Sequence, residues 1–331
     1  MSKVYCTYFD HRYLTKGLVM IRSLRRHVPG AQIWVLCLDA RAHGMMEELA
    51  EPGVRAIALC DFEAGDAALA KAKADGRSVV EYIFTLTPTL VRYVMRIVPE
   101  AEIVTYLDGD LWFLADPEPV YREMGSASVL IIPHGFEPRM KHLERHGIYN
   151  VGWVSFRRDS QGTACFEWWR ERTNEWCLDQ VDAGRFADQG YLDQFPQLFG
   201  GVHVLTNHGA NLAPWNVAGR SISCRDGMVY ADGDRVLFFH FHGVKRLDNG
   251  EYLTSHGYYK APLVPVVRDF LYRPYLRELS AIEGQIERRF GAMELKTGRK
   301  LRGNPKAGSF WLKNTIKMML NRQRGYIIAP D

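Results

Sequence analysis

The amino-acid sequence predicts an α/β protein with a mostly parallel central sheet flanked by helices. Apolar runs of strand length alternate along the chain with amphipathic runs of helical length, and this alternation is typical of parallel sheets whose strands are joined through helices. The 331 residues, 47% hydrophobic and 24% charged, fit a globular protein that can bury a substantial core. No apolar run approaches the roughly eighteen residues of a membrane span, and no signal-peptide pattern precedes the first strand, so we expect a cytoplasmic protein.

The first half of the chain holds most of the predicted sheet. An amphipathic helix follows the first strand and ends before Pro29-Gly30, which cannot continue a helix. Another helical run contains Pro88, and because proline is favoured in a first helical turn, we expect that helix to begin near Thr87. In chain order the expected elements are strands at 4–9, 33–38 and 54–59, helices at 14–27 and 81–98, and strands at 103–107, 129–132 and 153–156.

The second half continues the pattern with longer helical stretches. A helix is expected at 165–178, and we interpret its three tryptophans as core residues rather than as a sugar platform. Strands at 202–205 and 236–239 precede a helical stretch at 264–290. Without repeats or low-complexity linkers, boundaries are expected only near Lys260 and Lys296, which gives a main domain at 1–260, a helical segment at 261–295 and a tail at 296–331.

The tail is strongly basic and amphipathic. Nine lysines and arginines between Lys296 and Arg324 are accompanied by a single acid, Asp331. Its apolar residues recur at helical spacing, at Leu312, Ile316, Met319 and Leu320. Such a helix can lie on an anionic membrane surface or pack on a protein surface. Peripheral contact with the inner face of the membrane is one expectation. No other part of the chain shows a basic face with interleaved aromatics, so we expect no nucleic-acid partner.

The six cysteines are scattered, and no two form a Cys-x-x-Cys pair. Several lie within apolar runs, so we interpret them as reduced and mostly buried. A zinc site is the minor alternative.

The strand at 103–107 ends in Asp108-Gly109-Asp110. Because side chains alternate with a period of two along a strand, both carboxylates can point the same way, and Gly109 allows a ligand to approach the backbone. A hard divalent cation held by one or two carboxylates and by phosphate oxygens is common at nucleotide sites. The alternative is a turn with two solvated acids.

Three later segments carry polar groups that suit the same kind of site. Each has a simpler interpretation: a turn asparagine, a helix-capping aspartate, or a core histidine with satisfied hydrogen bonds. Their occurrence together with Asp108-Gly109-Asp110 favours a functional site. The residues are Asn150 and Gly152, then Asp188 and Gln189, then His240, Gly243 and Lys245.

This order of motifs resembles the retaining glycosyltransferases of the glycogenin and lipooligosaccharide galactosyltransferase type, called family 8, over about residues 3–246. The resemblance implies the GT-A fold and transfer of a sugar from a nucleoside diphosphate donor, UDP-linked in that family, to an acceptor hydroxyl with retention. It implies that Asp108, Asp110 and His240 hold Mn²⁺ (or Mg²⁺) against the donor diphosphate.

The resemblance also implies roles for residues beyond the metal ligands. Thr7, Tyr8 and Tyr13 would cradle the uridine, and Arg92 would contact the donor. Asp188 and Gln189 would orient the donor sugar, and Lys245 would neutralise charge on the diphosphate. The remaining donor-binding positions are Gly109, Asn150, Gly152 and Gly243.

The chain departs from the family pattern after His240. Family members usually read His-x-x-Gly-x-x-Lys-Pro-Trp, whereas here Lys245 comes one residue early and Arg246-Leu247 replaces Pro-Trp. His242 is therefore an alternative metal ligand. The acceptor is not implied by the resemblance, and a surface glycan or glycolipid is a hypothesis.

Two other functions fit parts of the sequence. One is a catalytically silent nucleotide-sugar-binding protein that uses the tail to dock on a partner. The other is a phosphohydrolase of the haloacid dehalogenase type, whose nucleophilic aspartate also ends an apolar strand. In that class the glycine follows the two acids, whereas here Gly109 lies between them.

Overall fold

A computed structural model of the protein describes residues 2–64, 66–292 and 317–330. Its centre is a seven-stranded sheet in the order β3-β2-β1-β4-β7-β6-β8. The strands β1 to β4 of this sheet are parallel to one another, and β7 runs antiparallel to both β4 and β6. The strands of the first part are β1 (Lys3–Phe9), β2 (Gln32–Cys37), β3 (Val54–Ala58), β4 (Ile103–Leu107), β5 (Leu111–Phe113), β6 (Val129–Pro133), β7 (Tyr149–Arg157) and β8 (Val202–Val204).

The later strands form three small sheets. In the first, β9 (Ile222–Arg225) and β11 (Asp234–Arg235) flank β10 (Met228–Ala231). In the second, β12 (Phe238–His240) pairs with β5. The third is β13 (Lys245–Arg246), β14 (Tyr252–Leu253) and β15 (Ile327–Ile328).

Helices cover both faces of the main sheet. They are α1 (Leu14–His27), α2 (Ala40–Leu49), α3 (Leu59–Ala64), α4 (Ala67–Ala74), α5 (Val79–Ile97), α6 (Glu118–Met124), α7 (Ser160–Glu175), α8 (Phe195–Leu198), α9 (His256–Tyr259), α10 (Pro265–Val267) and α11 (Arg273–Phe290). Short 3-10 turns occupy Pro138–His146, Gln189–Gln194 and Val217–Gly219, and a π turn at Arg268–Tyr272 joins α10 to α11. Residues 317–323 are helical.

The central strand β4 is buried on both faces. Ile103 and Leu107 point into the core that contains α1 and α11, and Val104 and Tyr106 point into the core that contains α5 and α7. A strand covered on both sides is the usual state of a parallel sheet between helix layers. The expected α/β fold with a mostly parallel sheet is confirmed.

The start near Thr87 that was expected for the helix at 81–98 was wrong. Helix α5 begins at Val79, and Ser78 and Glu81 form a reciprocal capping box at its N-terminus. Pro88 lies inside the helix, although proline in a helix interior removes a backbone hydrogen bond.

Other elements differ from the expectations in detail. His240 lies within β12 rather than after the strand, and the helical stretch at 264–290 is divided by the π turn. Trp169 is completely buried, as expected for a core residue. Four of the six unpaired cysteines are buried. Among the described residues, no helix has both the length and the apolar character needed to cross a bilayer. The expected tail helix lies largely outside the described residues, including Leu312 and Ile316.

Candidate metal and ligand site

The site is built at the carboxyl end of β4, where the chain turns through Asp108-Gly109-Asp110 into β5. Strand β5 pairs antiparallel with β12, so that Leu111 lies opposite His240. The backbone N–H of Phe241 donates to the carbonyl oxygen of Asp110 at 2.9 Å. This pairing brings a histidine more than a hundred residues away in sequence to the two aspartates.

Asp108, Asp110 and His240 form a compact group, which we call the carboxylate–histidine cluster. Nε2 of His240 lies 2.9 Å from Oδ1 of Asp110 and 3.6 Å from Oδ2 of Asp108. The second oxygen of each carboxylate accepts a tyrosine hydroxyl, from Tyr13 to Asp110 at 2.6 Å and from Tyr106 to Asp108 at 2.9 Å. The two tyrosine hydroxyls therefore orient the carboxylates, and the other oxygen of each carboxylate faces Nε2 of His240.

The three groups of the cluster shift one another's pKa values. Burial opposes ionisation of Asp110, yet the facing His240 lowers the pKa of Asp110 well below its usual range. Burial also opposes protonation of His240, and Asp110 overcomes this effect and raises the pKa of His240. Burial, with a further contribution from Asp110, raises the pKa of Asp108 against the opposing effect of His240. Negative charge therefore concentrates on Asp110, where His240 or a cation can compensate it.

The donor atoms fit a divalent cation. Ligand atoms of Asp110, His240 and His242 all lie within 4.8 Å of one another. Asp108 is not part of that group, although its Oδ2 lies 3.6 Å from Nε2 of His240. Mixed carboxylate and imidazole donors suit Mn²⁺ and related ions. Nε2 of His240 faces the two carboxylates, and Nδ1 is buried without a hydrogen-bond partner among the described residues. His242 lies in range as the alternative ligand.

Gly152 is required by the packing around the cluster. Its carbonyl oxygen accepts the backbone N–H of Asp108 at 3.0 Å. A Cβ atom there would lie 2.4 Å from Oδ1 of Asn150 and 2.9 Å from the ring of His240. At Gly109, by contrast, a Cβ atom would make ordinary contacts of 3.5 Å with the Tyr13 ring. The proposed close approach of a ligand at Gly109 stays a prediction.

Asn150 connects two of the predicted segments. Its Nδ2 lies 3.3 Å from Oε1 of Gln189 and 3.3 Å from Nε2 of His134. Its Oδ1 accepts the backbone N–H of Gly152 at 3.1 Å, and Gln189 donates in turn to the carbonyl oxygen of His146 at 2.9 Å. Asn150 is thus a buried strand residue in a polar network and not a turn residue.

Asp188 is almost fully buried, with 4% of the residue exposed. Burial raises the pKa of its carboxyl to about 7, with a contribution from Asp108 and against the lowering effect of a hydrogen bond with Thr87. The Thr87 hydroxyl also lies 3.1 Å from the hydroxyl of Tyr8. Asp188 therefore belongs to a polar chain that runs from helix α5 towards Asp108.

Three other predicted residues are less directly connected to the cluster. Thr7 is fully buried, and its hydroxyl has no partner among the described residues. Arg92 pairs with Glu167 at 2.8 Å and with Asp66 at 3.7 Å, on the side of α5 that faces α4 and α7. Lys245 lies in β13, two residues after the left-handed backbone of Gly243.

Sequence reasoning missed Lys16, Tyr106 and Trp215 as parts of the site. Nζ of Lys16 donates to the carbonyl oxygen of Val244 at 2.8 Å and lies 4.6 Å from the centre of the Tyr13 ring. Burial raises the pKa of Asp110, and His240 lowers it. The positive charge of Lys16 lowers the pKa of Asp110 further. Tyr13 directly precedes the helix predicted at 14–27 and Lys16 lies in its first turn, three residues further on, which is the spacing of neighbouring side chains on a helix. Trp215 packs against His240 with ring centres 5.0 Å apart, which no local pattern indicates.

The fold and the site define a mixed α/β protein with a buried carboxylate–histidine cluster at the end of its central strand. The chain is 34% identical over 264 residues to the uncharacterized protein YfnF of Bacillus subtilis (strain 168), covering 77% of this chain and 86% of YfnF. It is 30% identical over 289 residues to the uncharacterized protein YfnD of the same organism, covering 86% of this chain and 91% of YfnD. The protein belongs to the family that contains YfnF and YfnD. No family model matches the chain.

Solved glycosyltransferase structures match the chain at low sequence identity and with TM-scores below 0.5. The galactosyltransferase LgtC in complex with donor and acceptor sugar analogs matches with a TM-score of 0.49 and 15% identity, covering 84% of this chain and 95% of LgtC. Mouse xyloside xylosyltransferase 1 matches with a TM-score of 0.46 and 13% identity, covering 73% of this chain and 98% of the mouse chain.

Proposed function

We propose that this protein is a metal-dependent glycosyltransferase of the GT-A type. It would transfer a sugar from a nucleoside diphosphate donor, a UDP-sugar, to an acceptor hydroxyl with retention at the anomeric carbon. The observation that carries the proposal is the carboxylate–histidine cluster at the carboxyl end of β4. Ligands of open α/β sheets bind outside the carboxyl ends of the strands, and diphosphates at such positions are commonly bound through a cation.

Asp108, Asp110 and His240 would hold the cation, with the tyrosine hydrogen bonds keeping the carboxylates oriented. When bound, Mn²⁺ or Mg²⁺ would neutralise the negative charge that develops on the leaving diphosphate. Because His240 must lose its proton to bind a metal, and because Asp110 raises its pKa, protons would compete with the cation at low pH.

Asp188 and Gln189 would orient the donor sugar. The position of Gln189 is supported by its hydrogen bond with Asn150, which also binds the backbone of Gly152, and Gly152 accepts the backbone N–H of Asp108. Asp188 directly precedes Gln189. The bond between the anomeric carbon and the phosphate oxygen would break, and the acceptor oxygen would bond to that carbon on the same face. The acceptor proton would pass to the departing phosphate oxygen, so no protein nucleophile is needed.

Thr7, Tyr8, Tyr13 and Arg92 would bind the nucleotide part of the donor. Tyr8 and Tyr13 are supported by their hydrogen bonds to Thr87 and Asp110. A donor contact from Arg92 would require its ion pair with Glu167 to open.

The test is a panel of UDP- and GDP-sugars with the purified protein, in Mn²⁺ or in chelator, with release of nucleoside diphosphate as the measurement. We expect metal-dependent release from one donor. Asp110→Asn should lower the rate by at least about a hundredfold, since preorganised charges at reacting groups contribute on that scale. The matched control is Asp226→Asn, at an exposed left-handed turn position that asparagine tolerates.

The outcomes separate the candidate functions. Full activity of Asp110→Asn would show that the metal site is wrongly assigned. Thermal stabilisation by UDP with Mn²⁺, without any release, would identify a silent nucleotide-sugar-binding protein. Phosphate release that needs no nucleotide sugar would indicate a phosphohydrolase.

We also propose that the tail contacts the inner face of the membrane and brings the enzyme to a lipid-linked acceptor. In its described part, Met319 and Leu320 are 59% and 42% exposed beside the basic Lys317, Arg322 and Arg324. Sedimentation with anionic vesicles should fall strongly for the double variant Met319→Glu, Leu320→Glu. Equal binding of the wild type and this variant would contradict the proposal.

A further inference from the structure

The C-terminal segment returns to the body of the protein and adds a strand to it. In β15, Ile327 pairs with Leu253 and Ile328 pairs with Tyr252 of β14. The backbone N–H of Thr254 donates to the carbonyl oxygen of Tyr326 at 2.9 Å. Tyr326 and Ile328 are both buried, so this end of the chain is part of the folded structure.

Strand β14 is the partner of β13, the strand that contains Lys245. Lys245 pairs with Leu253, and Arg246 pairs with Tyr252. The hairpin of β13 and β14 begins three residues after His242, so it continues directly from the metal-binding end of β12. Each strand has only two residues, and a two-stranded hairpin is marginally stable alone in water. A third strand is what such a hairpin needs.

Contacts with α11 fix which way the hairpin faces. Arg246 pairs with Glu287 at 3.0 Å and with Glu283 at 3.5 Å, and Tyr252 donates to Glu283 at 2.6 Å. Successive side chains of a strand point to opposite faces. Because the Arg246 side chain points towards α11, the Lys245 side chain lies on the face of the hairpin away from α11.

Lys245 directly follows Val244, whose carbonyl oxygen accepts Nζ of Lys16 at 2.8 Å. Lys16 in turn lies 4.6 Å from the centre of the Tyr13 ring, and the Tyr13 hydroxyl donates to Asp110 at 2.6 Å. The strand that carries Lys245 therefore begins beside the carboxylate–histidine cluster, with Lys245 on the face away from α11.

Further contacts hold the C-terminal segment against the hairpin. Arg322 forms an ion pair with Glu251, next to β14. A Cβ atom at Gly257 would lie 3.1 Å from the Tyr326 ring and 3.0 Å from Oδ1 of Asn321. The segment thus packs against the chain on both sides of β14.

We propose that the C-terminal strand β15 is a positioning element that holds the β13–β14 hairpin so that Lys245 faces the donor diphosphate. The donor part of this inference rests on the proposed glycosyltransferase function, whereas the structural part does not. The end of the chain would thereby belong to the active site without touching the substrate.

Two proline variants of the full chain make a matched pair. Hydrogen-bonded and non-hydrogen-bonded pairs alternate along an antiparallel ladder. Because Thr254 donates to Tyr326, the pair of Tyr252 and Ile328 is hydrogen-bonded and the pair of Leu253 and Ile327 is not. Ile328→Pro therefore removes a ladder donor, whereas Ile327→Pro replaces an N–H that points away from β14.

The first measurement is hydrogen exchange of the backbone amides in residues 244–254, with the acylation rate of Lys245 measured alongside. We expect Ile328→Pro to raise both rates by at least about tenfold, since local opening exposes these groups. Ile327→Pro should leave both within about twofold of the wild type, because the ladder bonds are retained. Unchanged rates in Ile328→Pro would overturn the structural part of the inference.

The second measurement is a double-mutant cycle on donor turnover. Ile328→Pro should lower kcat/KM about tenfold in the wild-type background and cause little further loss in Lys245→Met, because effects that act through one residue are not additive. Equal losses in both backgrounds would overturn the positioning role. If the wild type turns over no donor, the proposed function fails, and the exchange and acylation rates still decide whether β15 holds the hairpin.

Discussion

Asp108 and Asp110 occupy different environments although a single glycine separates them. Asp110 is 5% exposed and contacts both His240 and Tyr13. The side chain of Asp108 is 31% exposed and lies farther from His240. Asp110 is therefore the buried carboxylate of the cluster, and Asp108 is the carboxylate that a ligand from solvent can reach.

Asp188 gives a pH prediction for stability. Its folded pKa is about 7, compared with about 4 for an unfolded aspartate. Between these two pKa values, Asp188 holds a proton in the folded protein that it has lost in the unfolded chain. The stabilisation that comes from the raised pKa is therefore complete below about pH 4. It falls as pH rises to 7, by at most about 1.4 kcal/mol per pH unit.

Urea unfolding of the wild type and of Asp188→Asn at several values between pH 4 and pH 8 would measure this effect. The difference in unfolding free energy should shift in favour of the variant as pH rises, since asparagine carries no charge. A difference that does not change with pH would show that Asp188 titrates normally.

At the scale of elements, the strand β7 and the strand β12 approach each other through Gly152. Gly152→Ala would place a methyl group against the His240 ring and Asn150. We expect a loss of about 1–3 kcal/mol in unfolding stability from overpacking, together with weaker Mn²⁺ binding because the His240 ring must shift.

Gly44→Ala is the control for this variant. Gly44 lies in α2, and a Cβ atom there would have no neighbour within 4 Å. Alanine should be neutral or stabilise the helix by up to about 1 kcal/mol. Mn²⁺ titration calorimetry on both variants would show whether the loss of affinity is confined to Gly152→Ala.

Elements could be predicted from the sequence where local signals agreed. The helix expected at 14–27 matches α1 because an apolar stripe, a preceding strand and Pro29-Gly30 all agree. For α5 two signals conflicted. Proline suggested a start near Thr87, but the capping box of Ser78 and Glu81 determined the actual start. Pro88 lies among the buried residues of α5, with Leu86 and Leu90.

The candidate site was predictable in its residue types and not in its arrangement. Asp108, Asp110 and His240 could be named because each follows or ends an apolar strand. The pairing of β5 with β12 could not be predicted, since β-sheet register between distant segments depends on tertiary packing. The role of Lys16 depends on its contact with Val244, far away in sequence.

At the scale of the whole molecule, α11 belongs to the same core as the N-terminal strands. Leu276 and Leu279 are buried in the core that also contains Tyr5 and Leu18. Arg22 and Arg26 of α1 contact Gln285 and Glu278 of α11. The boundary expected near Lys260 stays a prediction, but residues 273–290 share this core with α1.

Leu276→Ala should therefore destabilise the whole protein. Leu276 is fully buried, and truncating a buried leucine costs about 2–5 kcal/mol. Leu198→Ala is the control, since Leu198 is 53% exposed and should change stability by less than about 0.5 kcal/mol. Urea unfolding followed by far-ultraviolet circular dichroism and by near-ultraviolet circular dichroism should give one shared midpoint for each variant. Separate midpoints would mean that α11 unfolds independently.

Because Trp215 packs against His240, its fluorescence can report metal binding at the site. The indole ring is buried, and its centre lies 5.0 Å from that of His240 and 5.8 Å from that of His242. Paramagnetic ions quench indole fluorescence at short range, whereas Mg²⁺ does not. Titration with Mn²⁺ would therefore dim the emission of Trp215 as the ion binds at the imidazoles, which provides a label-free reading of occupancy without any substrate.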